Sequence, residues 1–290
     1  MTVPNTSSSV MSCNPFRCLL VGIPSDAEVQ QIQALTQAIE LARAGKATLS
    51  LYVFAPQLRA PLPMSAASAS IWLAEEAERL EKLTSAATLR ATEIVSKAGL
   101  DVIAEHPHSP FEPRAARFVQ LARVHDLTIL DAADISNTAQ RGMIEDVLFD
   151  SGRAVLLIPR HGGTARPRRI AIAWDGSARS ARAVKEALPL LASAEAVVAV
   201  TVEGEKDLSR MAPGADLATY LARHEIDCKL ATLAAQSRDV AERLRLFIAE
   251  EDIEMIVMGA FVHSRFRETI LGGVTQSLLD QPPVPLFMAH

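Results

Sequence analysis

RIAIAWDG, residues 169–176, is a short aliphatic run closed by Trp, Asp and Gly, and its layout matches CLLVGIP at 18–24. Each run reads as a buried strand, brief and ended by turn residues. Both are followed by an amphipathic helix. In the first half Ile32, Leu35, Ala38, Ile39 and Ala42 fall at helical spacing, and in the second Ala181, Val184, Leu188 and Leu191 do the same. A second strand follows in each, TLSLYVFA (48–55) and AVVAVTVE (196–203).

The middle sections differ. The first half has a Pro/Ala/Ser-rich loop (55–70) and a long helix over 71–98, striped by Leu73, Ala77, Leu80, Ala87, Ala91, Ile94 and Val95. The second half has only a short helix around Leu217–Arg223. The pattern then resumes with strands DVIAEH (101–106) and DCKLATL (227–233), helices 112–124 and 238–251, and strands LTILDA (127–132) and EMIVMGA (254–260). A last helix leads to the closing strands AVLLIP (154–159) and VPLFMA (284–289).

Strands alternating with helices predict an α/β protein with parallel sheets covered on both faces. Right-handed crossovers make each half a doubly wound, Rossmann-like, five-stranded unit. The expected organisation is a tail at 1–16, one domain at 17–160, a Gly- and Pro-containing linker HGGTARPR at 161–168, and a second domain at 169–290.

Composition narrows the class. With 49% hydrophobic and 22% charged residues, the chain has ample apolar mass for real cores. A net charge of −5 argues against a general nucleic-acid or membrane binder. Cys13, Cys18 and Cys228 have neither metal-ligand spacing nor the number for a disulfide framework, so a reducing, cytoplasmic setting is expected. The opening MTVPNTSSSVMSCNPF lacks the charged and apolar regions of a secretory signal, and no apolar run approaches a membrane span.

In open parallel sheets, ligands sit beyond the carboxyl ends of the strands, where the winding reverses. In the second half that edge holds Trp174-Asp175-Gly176, Thr201-Val202 and Gly259-Ala260. MGAFVHSRFRETILGGVTQSLL (258–279) begins there and runs through a basic loop into a helix opened by two glycines. Gly272 and Gly273 offer bare backbone N–H groups at a helix N-terminus, an anion nest or else a tight loop-to-helix turn. His263, Arg265 and Arg267 are either phosphate partners or solvated surface, and Asp175 is either a ligand to ribose or base or a cap for the following helix.

These residues resemble the universal stress protein family (UspA-like) in its tandem form. The resemblance covers nearly everything after residue 16 and is sharper in the second half. It rests on IAIAWDGS with Asp175, on the strand ending in Val202, and on the 258–279 stretch followed by PVPLFMA. It implies an adenine-nucleotide alpha-hydrolase-like fold and, for nucleotide-binding members, Gly, two residues, Gly, nine residues, Gly, then Ser or Thr. Here Gly259 fills the first position, Val262 replaces the second glycine, Gly272 fills the third, and Gly273 replaces the hydroxyl residue, with Thr275 two further on. The implied ATP site is Asp175, Val202, Gly259, His263, Ser264, Arg265, Gly272, Gly273, Val274 and Thr275. Val262 is the serious departure, because a β-branched residue is strained in a left-handed turn and its side chain fills phosphate space.

In the first half Asp131 stands opposite Gly259, and Gly142, Met143 and Glu145 stand opposite Gly272, Gly273 and Thr275. Ile23 falls opposite Asp175, with Asp26 in the same loop. Acidic groups repel phosphate, so no nucleotide is expected there. His106 and His108 fit a loop bounded by Pro107 and Pro110 better than a metal site. No nucleophile elbow, zinc signature or P-loop lysine is present.

The expectation is therefore a non-catalytic stress-response protein with a candidate ATP site in its second domain and a structural first domain. An interaction scaffold is the alternative, its domains packed as a pseudo-dimer through AVLLIP and VPLFMA, with homodimerisation a further option. A nucleotide hydrolase relying on Asp175 is a third.

Overall fold

The computed structural model describes residues 16–56, 65–107, 114–134, 137–203, 214–234, 239–260, 262–263, 270–271 and 273–290. The first half runs β1 (Cys18–Pro24), a 3-10 turn (Val29–Gln31), α1 (Gln33–Gly45), β2 (Thr48–Phe54), α2 (Ala66–Lys97) and β3 (Val102–Glu105). It continues through α3 (Arg114–Arg123), β4 (Leu127–Asp131), α4 (Thr138–Asp150) and β5 (Val155–Ile158). The second half runs β6 (Arg169–Ala173), α5 (Ala178–Ser193), β7 (Ala196–Glu203), α6 (Ala215–Ala222), β8 (Cys228–Ala234), α7 (Val240–Glu250) and β9 (Met255–Gly259). A hairpin of β10 (Val262–His263) and β11 (Ile270–Leu271) follows, then α8 (Gly273–Asp280) and β12 (Leu286–Ala289).

The strands order β3-β2-β1-β4-β5-β12-β9-β6-β7-β8. Each half is a parallel five-stranded unit with its winding reversed beside its first strand, β1 between β2 and β4, and β6 between β7 and β9. The two units do not remain separate sheets. β5 and β12 pair antiparallel, Leu157 opposite Leu286, Leu156 opposite Phe287 and Val155 opposite Met288, so one ten-stranded sheet crosses the molecule.

Alternation along the strands sorts side chains onto two faces. Leu19, Val21 and Ile23 of β1, Leu156 and Ile158 of β5, and Phe287 of β12 join one cluster with α1, α2, α5 and α6. Leu20, Val155, Leu157, Leu286 and Met288 join the other with α3, α4, α7 and α8. Both clusters run through the seam. The six side chains of the β5–β12 ladder are buried, and each such burial contributes about 1.5–3 kcal/mol.

Polar ties flank the seam. Arg182 of α5 donates to the carbonyls of Gly152 and His290, while its neighbour Glu186 accepts the Ala154 amide at 2.6 Å. On the other face Arg141 pairs with Asp280, and on the α1–α5 face the Gln37 carboxamide oxygen accepts the Ala165 amide at 2.8 Å. Phe16, the last residue of the expected tail, is buried in the first cluster.

Candidate functional site

Register brings the second-half strand ends together. Ala173 lies opposite Met258 on one side and Val200 on the other, so Trp174 and Asp175 emerge beside Gly259 and Val202. Asp175 is half-buried, and its Oδ1 accepts the Ser177 amide at 3.0 Å. The chain then turns at Gly176, whose φ of 70° is a conformation that favours glycine. Ser177, not Asp175, is the N-cap of α5, its hydroxyl accepting the Ser180 amide at 3.2 Å. Asp175 therefore braces the turn ahead of the cap.

Gly259 has a packing reason to be glycine. A Cβ there would lie 2.6 Å from the Ser180 nitrogen and 2.8 Å from the Arg179 carbonyl carbon, both backbone atoms. The first turn of α5 thus presses against the end of β9, and only a hydrogen fits between them. Val202 is half-buried and packs on the α7–α8 face, while the Thr201 hydroxyl reaches toward β8.

Beyond Ala260, β10 and β11 pair antiparallel, Val262 opposite Leu271 and His263 opposite Ile270. Val262 is extended strand backbone here, so the left-handed strain expected from a β-branched residue does not arise. Ser264, Arg265, Arg267 and Gly272 lie outside the described residues, as do the side chains of Val262 and His263. α8 opens at Gly273, which is exposed and has nothing within 4 Å of where a Cβ would point. Val274 is half-buried against the second cluster, and Thr275 is buried in the first turn. Asp175 thus lies on the loop after β6, Val202 and Gly259 at the ends of β7 and β9, and Gly273, Val274 and Thr275 in the first turn of α8.

The first half is built differently at the same place. Asp131, at the end of β4, accepts the Ala34 amide through Oδ1 at 2.6 Å, so its carboxylate sits on the N-terminus of α1. Burial pushes its carboxyl up to about 6, opposed by the Ala34 and Gln33 amides and by the charge of Arg160. α4 begins at Thr138 behind an Asn137 cap, which leaves Gly142 and Met143 inside the helix, where their amides are used. Gln140 reaches back to the Asp131 carbonyl at 3.2 Å. Sequence reasoning read Asp131 only as repulsive to phosphate; its partner lies 97 residues away, and no local pattern signals the contact.

Among the described residues no group of three or more His, Cys, Asp or Glu is placed to hold a metal. His106 bonds the Pro107 carbonyl oxygen through Nδ1 at 3.1 Å, and His108 lies outside the described residues. No described helix is long and apolar enough to cross a membrane.

The model of the Universal stress protein family matches residues 167–290. Among solved structures, the chain is similar to a universal stress protein from Archaeoglobus fulgidus DSM 4304, at TM-score 0.63 and 14% identity over 93% of this chain and 95% of that one. A putative universal stress protein from Pseudomonas aeruginosa UCBPP-PA14 gives TM-score 0.57 and 16% identity over 95% and 93%. A functionally unknown protein from Pseudomonas aeruginosa PAO1 gives 0.56 and 16% over 95% and 92%. At these identities the likeness is one of fold. No curated protein matches the chain.

Proposed function

We propose that residues 167–290, the part of the chain that matches the model of the Universal stress protein family, bind an adenine nucleotide without catalysis. The N-terminal half serves as their structural partner. The observation that carries the reading is the contrast at one equivalent place in the two halves. In the second half α8 opens at an exposed glycine with open space where a side chain would stand. In the first, a carboxylate occupies α1 and α4 is already helical at the aligned glycine. Amides at the start of α8 are suited to a phosphate, since the helix dipole favours an anion there. Asp175 is suited to a ribose hydroxyl. Its bond to the Ser177 amide anchors a turn, which supports binding rather than activation of water.

Isothermal titration with ATP, ADP and AMP tests this, with one site per chain expected. Absence of heat together with absence of a thermal shift at millimolar nucleotide would overturn it.

One observation favours a scaffold without nucleotide. Val262 pairs with Leu271 and His263 with Ile270, so the backbone groups of these residues are engaged with one another. Val262→Gly separates the readings: nucleotide binding gained or tightened identifies the valine as the obstacle, and silence in both proteins leaves the scaffold.

A further inference from the structure

Independently of nucleotide binding, we propose that the outer face of α2 is a self-association surface that pairs antiparallel with α2 of a second copy of this chain, about a two-fold axis level with Leu80. At 32 residues α2 spans about 48 Å, far beyond the 7-residue β2 and 4-residue β3 that it covers. Its fully buried side chains, Leu80, Thr84, Ala87, Ala91 and Val95, all lie from Leu80 onward. N-terminal to Leu80 every described side chain is exposed or only half-buried.

The outward face carries two large apolar side chains, Ile71 at 62% and Leu89 at 71% exposure. They are 18 residues apart, about five full turns, and so share one line along the helix some 27 Å long. Leu80 lies midway and half a turn round, and it is buried at 2%, which sets the line squarely on the solvent side. Glu75, Glu78, Lys82, Ser85 and Ala86 occupy the line between them, all exposed.

This pattern is self-complementary under a two-fold axis. With Ile71 against the other copy's Leu89, Glu78 meets the other copy's Lys82, and the reverse contact repeats on the far side of the axis. Glu78 and Lys82 already form a 2.6 Å ion pair within the helix, with side chains 68% and 75% exposed, so both charges stand at the surface where a partner would meet them. Antiparallel packing in this register also lays the stretch 75–81, which holds Glu75, Glu76, Glu78 and Glu81, over the stretch 79–85, which holds Arg79 and Lys82, whereas parallel packing would set like charges together. A single helix pair buries less than the roughly 1,200 Å² of a stable complex, so the dimer belongs to the weak, concentration-dependent class.

Sedimentation of the full chain over a wide concentration range tests the proposal. The wild type is expected to approach twice the mass of one chain, and I71E/L89E to stay at one mass with unchanged melting. E78K or K82E alone should weaken association, and E78K/K82E should restore it. With Cys13, Cys18 and Cys228 replaced by serine, a mixture of I71C and L89C chains should form a disulfide dimer far faster than either alone. A wild type that is monomeric at every concentration, or a dimer indifferent to I71E/L89E, overturns the proposal and leaves the stripe to another partner. Self-coupling of I71C as fast as the mixture overturns the antiparallel arrangement.

Discussion

Gly259 and Asp131 stand at equivalent strand ends and do opposite things. Gly259 lets the α5 backbone touch the strand, and Asp131 caps α1. Gly259→Ala would drive a Cβ into backbone that cannot move aside, and is expected to cost about 1–3 kcal/mol in urea unfolding. Asp131 predicts a pH effect. Its folded carboxyl titrates at about 6, above the ordinary value of 3.8, so the folded protein holds the proton more tightly than the unfolded chain. Its stabilising contribution is therefore full below about pH 4 and is lost as pH rises through 6. Asp131→Asn keeps an acceptor for Ala34 without the titration. Between pH 4.5 and 7.5 the wild type should lose about 2 kcal/mol relative to the variant by denaturant titration. A constant difference would show that this carboxyl does not titrate in that window.

The elements themselves were largely legible. Periodicity in Ala181, Val184, Leu188 and Leu191 foretold α5, and DGSARS announced its start; the structure chose Ser177 over Asp175 as the cap. Ser177→Ala should lower stability by about 1 kcal/mol, read from the denaturation midpoint, because the Ser180 amide loses its acceptor. α2 begins at Ala66, five residues before the expected start at Ile71. The Ala- and Ser-rich stretch ahead of Ile71 reads as loop by composition, but Ser65 caps it and accepts the Ser68 amide. The β10–β11 hairpin had no such signal. Two-residue strands are too short for alternation to be seen, and the glycine spacing around Val262 draws attention away from its strand-forming preference.

At the scale of the molecule, the seam between the halves sets the architecture. Leu286, Phe287 and Met288 are buried, with β12 held between β5 and β9. Residues 167–290 expressed alone would present β12 as an open, apolar edge, a template for pairing with another chain. That fragment is expected to dimerise or aggregate in size-exclusion chromatography, while the full chain does not do so through this strand. A fragment that stays monomeric and soluble would show that the seam is dispensable.

The alternation of strands and helices, the repeat of that pattern in two halves, and the strand edge where a site is expected can all be read from the residues in order. Each of these is written in local periodicity and turn chemistry, which depend on residues a few positions apart. It takes the folded chain to set Asp131 on a helix 97 residues away, to press α5 against Gly259, and to join two five-stranded units into one sheet. Those outcomes depend on which distant segments come into contact, and a side chain carries no local mark of a partner that folding alone brings to it.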